Sequence, residues 1–144
     1  SDVCSSDLSP SLHDEALLDG KIGVNFTGNP KYEYEYCRGI YNDRVRGLIL
    51  DSCDSVNLAD YRDGSMFDFR EVLTRLNGVI TTDTMTAHLA GAMGIPCLVL
   101  LATNHDWRWY HKWYGDHLKT VTQSAIGHWD SVLPDVEKFV KEIA

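Results

Sequence analysis

Hydrophobic and polar residues follow one another in blocks that predict strands and helices in alternation. Short apolar or β-branched runs bounded by turn residues indicate buried strands at 22–27, 47–51, 55–58, 78–82 and 97–101. Apolar positions that recur every three or four residues indicate helices at 66–76, 84–93 and 129–143. Because strands that alternate with helices favour a parallel sheet covered on both faces, the predicted class is α/β with a Rossmann-like, three-layer parallel sheet.

The turn after the fourth predicted strand carries the most chemically informative residues. Asp83 is predicted to cap the following helix, which leaves the backbone N–H groups near Met85 and Thr86 at the carboxyl end of the strand. A helix N-terminus at that position favours an anion through its unpaired donors and its macrodipole. His88 lies four residues after Thr84 and therefore on the same face of the helix. This arrangement suits a phosphorylated ligand.

A second polar turn, at residues 27–31, ends the first predicted strand. Ligands of open parallel sheets bind at the carboxyl ends of the strands, so this turn and the turn at 82–86 are expected to lie adjacent at one sheet edge. The segment that follows, 32–36, alternates tyrosine with glutamate and is interpreted as an exposed loop or edge.

Composition narrows the function without identifying it. The 144 residues suit one domain, and 44% hydrophobic with 24% charged residues is ordinary for a soluble globular protein. A net charge of −8 argues against nucleic acid or an anionic membrane surface as the main partner. No apolar run reaches the roughly 20 residues of a transmembrane span. We therefore expect no transmembrane segment and a cytoplasmic protein, either free or peripheral to the inner membrane.

Neither a metal nor a cofactor is expected from the sequence. The four cysteines have no paired spacing of the kind that structural zinc sites use. The aspartates likewise form no D-x-D metal motif.

The first eight residues resemble the translation of a sequencing-adapter oligonucleotide and are interpreted as non-native. A plain disordered leader is the other interpretation. We divide the chain into a leader, residues 1–20, and one domain, residues 21–144. On the first interpretation the natural protein extends further at its amino end, and Cys4 has no functional role.

Three stretches resemble the heptosyltransferase-like glycosyltransferases (glycosyltransferase family 9). Residues 82–90 are similar to the family's D-T-x-x-x-H-L-A pattern of strand, turn and helix. Residues 22–30 and 100–109, with Trp113-Tyr114 and later Trp129-Asp130, are similar to segments of bacterial relatives fused to tetratricopeptide repeats. The resemblance covers 21–144 and implies a GT-B enzyme of two Rossmann-like domains. This chain would be the carboxyl-terminal domain, which binds the nucleotide-sugar donor.

The resemblance also implies roles for individual residues. Asp83, Thr84 and His88 match the donor-binding turn, and His88 is expected to stabilise the leaving diphosphate. Lys31 and Arg38 are candidate cations, although segment 32–36 departs from the family pattern. The expected substrate-binding residues are Gly28, Asn29, Lys31, Arg38, Asp83, Thr84, Met85, Thr86, His88, Asn104 and Trp107. The general base is expected on an amino-terminal acceptor domain, so no catalytic base is assigned in this chain.

Several residues keep a structural interpretation beside the functional one. Asp83 is either a helix cap or part of a phosphate-binding turn, and His88 is either a core histidine or a ligand-binding one. The aromatic residues from Trp107 to Tyr114 either pack within the protein, lie under the acceptor domain or stack on a ligand.

The expected activity is transfer of a sugar from a nucleotide-diphosphate sugar to an acceptor hydroxyl, by an enzyme that is not active from this domain alone. A nucleotide-sugar epimerase of GT-B fold and a catalytically silent nucleotide- or sugar-binding module are the alternatives.

Overall fold

The computed structural model describes residues 18–26, 47–49, 51, 54–61, 66–101, 114–125 and 128–143. Within them, one sheet contains the strands β1 (Ile22–Asn25), β2 (Ser55–Asn57), β3 (Gly78–Thr82), β4 (Cys97–Leu101) and β5 (Leu118–Thr122). All five strands are parallel, and their order across the sheet is β2-β1-β3-β4-β5. The predicted α/β class with a parallel sheet is confirmed.

The described part of the chain contains the α-helices α1 (Met66–Thr74), α2 (Met85–Met93) and α3 (Leu133–Ile143). Short 3₁₀ helices at Leu58–Tyr61 and Trp129–Val132 follow β2 and precede α3. All three predicted helices are present with shifted ends. The first ends earlier than predicted because the amides of Arg75 and Leu76 bond three residues back, which tightens the last turn.

Two hydrophobic clusters cover the two faces of the sheet. The first joins the sheet to α1 and α2 and includes the buried residues Phe69, Leu73, Val79, Ala87, Ala90 and Val99. The second joins the sheet to α3 and includes the buried residues Val24, Ile80, Leu98, Leu100, Trp129, Val136 and Phe139. Successive residues of a strand point to opposite faces, so β3 and β4 supply both clusters and are apolar nearly throughout. This is the predicted three-layer arrangement.

Close contacts and one ion pair join α3 to the sheet. A Cβ added at Gly78 would lie 2.5 Å from Cδ1 of Ile143 and 3.2 Å from the carbonyl oxygen of Pro96, so the glycine allows this close approach. Lys119 of β5 donates a 2.7 Å hydrogen bond to Oε2 of Glu142. That bond lowers the pKa of Glu142, and the charges of Lys119 and Lys138 act in the same direction.

Two expectations about secondary structure are wrong. Residues 47–49 and 51 are helical, whereas a buried strand was expected at 47–51. A short apolar run is compatible with either structure, and Ile49 is fully buried in the helical one. Strand β5, the last in the order, was not expected from the sequence either. Its exposed Lys119 and Thr120 interrupt the apolar pattern on which the other strands were recognised.

Candidate functional site

The strand order changes direction between β1 and β3. The chain passes from β1 to β2 on one side of the sheet, whereas β3 leads to β4 and β5 on the other. In open parallel sheets, ligands bind at the carboxyl ends of the strands where the order reverses in this way. The turn at 82–86 follows β3 at that position. The turn at 27–31, which was expected beside it, lies outside the described residues.

A buried network of polar side chains connects the ends of β1 and β3 to this turn. Asn25 and Thr81 are register partners on neighbouring strands, and both are fully buried. Nδ2 of Asn25 donates to Oγ1 of Thr81 at 3.2 Å and to Oγ1 of Thr84 at 3.1 Å. The Thr81 hydroxyl donates to the carbonyl oxygen of Thr82 at 2.9 Å. Because each hydroxyl has one proton, Thr84 is the donor in its 3.2 Å bond with Thr81.

The helix α2 begins without a side-chain cap. Thr84 occupies the N-cap position, with φ −141° and ψ 177°, and its hydroxyl makes no capping hydrogen bond. The expectation that Asp83 caps this helix is therefore wrong, because the helix starts one residue later than predicted. An N-cap hydroxyl usually accepts a hydrogen bond from an amide in the first turn. Here the Thr84 hydroxyl bonds with Asn25 and Thr81 instead.

The first turn of α2 consequently presents open donors. The amide of Ala87 bonds to the carbonyl oxygen of Thr84 at 3.0 Å. Within the described residues, the amides of Met85 and Thr86 have no such backbone partner. Open amides at the positive end of a helix macrodipole attract an anion. The helix end therefore has open donors of the kind that an anion site needs, although its capping arrangement differs from the predicted one.

Thr86 adds a second, independent feature to this helix end. It is fully buried, and its Oγ1 has no hydrogen-bond partner within the part of the chain that the structure describes. Side chains of a helix tilt toward its N-terminus, so the Thr86 side chain lies on the side of the open amides. Leaving a buried hydroxyl unsatisfied is unfavourable by about 1–3 kcal/mol, which an oxygen-bearing ligand would offset.

His88 lies one turn into α2 between two polar partners. Its Nδ1 is 3.0 Å from the hydroxyl of Tyr114, and its Nε2 is 3.9 Å from Oδ1 of Asp83. The His88 side chain is 36% exposed, so it is not a buried core histidine. The Asp83 carboxylate, which is 13% exposed, adds negative charge to the same turn beside this imidazole.

The structure brings together the predicted residues of the turn at 82–86 and the helix after it, and Asn25 and Tyr114 contact the same region. Five predicted residues lie at the carboxyl edge of β3 or in the first turn of α2: Asp83, Thr84, Met85, Thr86 and His88. The remaining predicted residues lie outside the described residues: Gly28, Asn29, Lys31, Arg38, Asn104 and Trp107.

The sequence alone did not indicate that Asn25 belongs to this region or that Tyr114 makes a hydrogen bond with His88. Asn25 gives a detectable signal, since it is a polar residue at the carboxyl end of an otherwise apolar strand. The pairing of Tyr114 with His88 joins two elements that are distant in sequence and has no local signal.

The described residues contain no group of three or more His, Cys, Asp or Glu side chains that could hold a metal ion. None of the helices described is long and apolar enough to cross a membrane.

Comparison of the chain with protein-family models and with curated proteins finds no match in either set.

Proposed function

We propose that this domain binds the diphosphate of a nucleotide sugar at the N-terminus of α2 and is the donor-binding domain of a glycosyltransferase. The observation that carries the proposal is that the Thr84 hydroxyl is hydrogen-bonded to Asn25 and Thr81. Because this hydroxyl does not cap the helix, the amides of Met85 and Thr86 are open to an anion at the point where the strand order reverses.

Each group at the helix end has a distinct role in the proposed complex. The diphosphate oxygens accept hydrogen bonds from the amides of Met85 and Thr86 and from the Thr86 hydroxyl. His88 donates from Nε2 to the phosphate oxygen on which charge develops as the sugar leaves. A donor positioned where charge develops lowers the barrier of the reaction.

The proposed reaction is sugar transfer between two oxygens. The bond between the sugar and the diphosphate oxygen breaks, and a bond forms between the sugar and the acceptor hydroxyl. The proton of that hydroxyl goes to a general base, which we assign to a separate acceptor domain. The motifs at 22–30 and 82–90 support transfer as the chemistry, because they resemble those of glycosyltransferase family 9.

Titration calorimetry of the full chain tests the proposed ligand. UDP, GDP and ADP are each compared with the matching nucleoside, which lacks the diphosphate. We expect at least one diphosphate to bind, and its nucleoside to bind at least about tenfold more weakly, since the strongest hydrogen bonds go to the charged group. Equal affinities for the two members of every pair would contradict the proposal.

Two buried threonines provide a matched pair of variants. Thr82 and Thr86 are both fully buried, and Oγ1 of each has no partner within the described residues. Thr82 alternates with Ile80 along β3, so it lies on the α3 face and away from the α2 helix end. We expect Thr86→Val to weaken diphosphate binding by about 1–2 kcal/mol and Thr82→Val to leave it unchanged.

The two variants also control for folding. Each removes an unpartnered buried hydroxyl, so neither is expected to lower the free energy of unfolding. If the Thr86→Val protein is folded and binds the diphosphate as tightly as the unsubstituted protein, the Thr86 hydroxyl takes no part in the site.

A further inference from the structure

We propose that Tyr114 is a positioning residue for His88. Its hydroxyl holds the imidazole so that Nε2 carries the proton and faces the ligand side of the α2 helix end. The inference rests on the proposed function, in which His88 Nε2 donates to the diphosphate. It adds to that function the means by which the required tautomer and ring orientation are selected.

The hydrogen bond at Nδ1 determines what the other ring nitrogen can do. The Tyr114 hydroxyl and His88 Nδ1 are 3.0 Å apart. In a neutral imidazole one nitrogen is a donor and the other an acceptor. When Tyr114 donates to Nδ1, the ring proton resides on Nε2. The Asp83 carboxylate, 3.9 Å from Nε2, favours the same tautomer because it attracts the N–H dipole.

The fold holds the Tyr114 ring against α2 through a glycine. A Cβ added at Gly91 would lie 2.7 Å from both Cγ and Cδ2 of that ring and 2.9 Å from Cδ1 of Leu118. Gly91 is three residues after His88 and therefore on the same stripe of the helix. The base of the ring contacts α2 at Gly91 while its hydroxyl reaches His88, so the ring extends toward the helix N-terminus.

A second contact fixes the segment that carries Tyr114. His117 Nε2 donates a 2.8 Å hydrogen bond to the carbonyl oxygen of Gly91. The rings of Tyr114 and His88 are 6.1 Å apart between centroids and are tilted by 57°. Because two residues of the same segment contact Gly91, the position of the Tyr114 hydroxyl is determined by packing as well as by its bond to His88.

A double-mutant cycle tests whether Tyr114 acts through His88. Three variants of the full chain are titrated with UDP, GDP and ADP, and their thermal melts are recorded. They are His88→Ala, Tyr114→Phe and the double variant. Tyr114→Phe retains the ring against Gly91 and removes only the hydroxyl. We expect affinity to fall about fivefold for Tyr114→Phe and about tenfold for His88→Ala, with no further loss in the double variant.

Tyr61→Phe is the matched control. Tyr61 follows β2, at the opposite end of the strand order from β5, and is only partly buried in the cluster that contains α2. We expect this variant to bind each diphosphate as the unsubstituted protein does.

Three results would overturn the role of Tyr114. Additive losses in the double variant would mean that Tyr114 acts independently of His88. A lower melting temperature with unchanged affinity for Tyr114→Phe would mean that it only packs. Unchanged ring ¹⁵N shifts of His88 in the ligand-free Tyr114→Phe protein would mean that its hydroxyl does not select the tautomer.

A different result would refute the proposed function itself. If the unsubstituted protein binds none of the three diphosphates, both the proposed function and the positioning role of Tyr114 are refuted. Binding by the unsubstituted protein with any of the three results above refutes only the role of Tyr114.

Discussion

The threonines around the carboxyl end of β3 differ in their hydrogen bonding, and this difference defines the candidate site at the scale of residues. The hydroxyls of Thr81 and Thr84 bond with each other and with Asn25. Those of Thr82 and Thr86 are buried without a partner in the described part of the chain. Buried polar groups are nearly always satisfied in native structures. In the proposed complex the diphosphate is the partner of the Thr86 hydroxyl, whereas the structure offers no partner for that of Thr82 within the described residues.

Cys97 provides a pH-dependent prediction at the same scale. It is fully buried in β4, and burial raises the pKa of its thiol from the ordinary value of 9.0 to about 12. The folded protein thus holds the thiol proton more tightly than the unfolded chain. The contribution of Cys97 to stability is complete below pH 9.0 and is lost as the pH rises from there toward about 12.

Urea unfolding under reducing conditions at a series of alkaline pH values measures this effect. We expect the free energy of unfolding to fall more steeply with pH in the natural sequence than in Cys97→Ala. The difference in slope has an upper limit of about 1.4 kcal/mol per pH unit, the value for one proton. The other titrating groups are common to both proteins and cancel in the comparison. Parallel curves for the two proteins would show that the buried thiol is not linked to stability.

At the scale of elements, Asn25 joins β1 to β3 and to the start of α2. Its amide nitrogen is the donor to both threonine hydroxyls in the network. In Asn25→Ala these hydroxyls lose a buried donor, so we expect the free energy of unfolding to fall by about 1–3 kcal/mol. The released Thr84 hydroxyl is then able to cap α2 itself. We therefore also expect weaker diphosphate binding, because the cap and the ligand compete for the same amides.

Asn57→Ala is the matched control for this prediction. Asn57 is the last residue of β2, as Asn25 is of β1, but it is exposed. Urea unfolding and titration calorimetry of the two variants separate the effect of a change at the α2 helix end from the effect of replacing an asparagine at the end of any strand. A folded Asn25→Ala protein with unchanged diphosphate affinity would show that the engagement of Thr84 does not keep the helix end open.

The elements that sequence predicts correctly are those whose apolar pattern is long and bounded by turn residues. Strands β3 and β4 were expected at 78–82 and 97–101 and have those bounds. The run at 47–51 is equally apolar, but its length does not separate a strand from a helix segment. Strand β5 has exposed polar residues and lies at the end of the strand order, where packing does not impose an apolar pattern.

The position of the candidate site was predictable, but its hydrogen bonding was not. The turn after β3 follows from the end of an apolar run and the start of a helix. The Thr84 hydroxyl at the N-cap position is bonded to Asn25, 59 positions away, instead of capping the helix. No local pattern encodes such a pairing, and intrinsic N-cap preference alone favours Asp83 over Thr84.

At the scale of the whole molecule, the strand order favours ligand binding at the candidate site, whereas the net charge opposes the binding of an anion. The order β2-β1-β3-β4-β5 puts the N-terminus of α2 at the edge where ligands of parallel sheets bind. The chain carries a net charge of −8, which repels an anionic ligand at long range. The proposed binding of a diphosphate therefore needs short-range donors, and those that the described residues offer are the open amides, the Thr86 hydroxyl and His88.

The diphosphate site at the start of α2 is tested most directly by a ¹H–¹⁵N NMR titration of the full chain with UDP, GDP and ADP. We expect the bound diphosphate to shift the backbone amide resonances of Met85 and Thr86 most, together with the ring of His88. The amides of β5 and α3 are expected to change little, because they lie away from the α2 helix end. Unchanged Met85 and Thr86 amides at saturating ligand, or a perturbed region centred on another element, would refute a diphosphate site at this helix end.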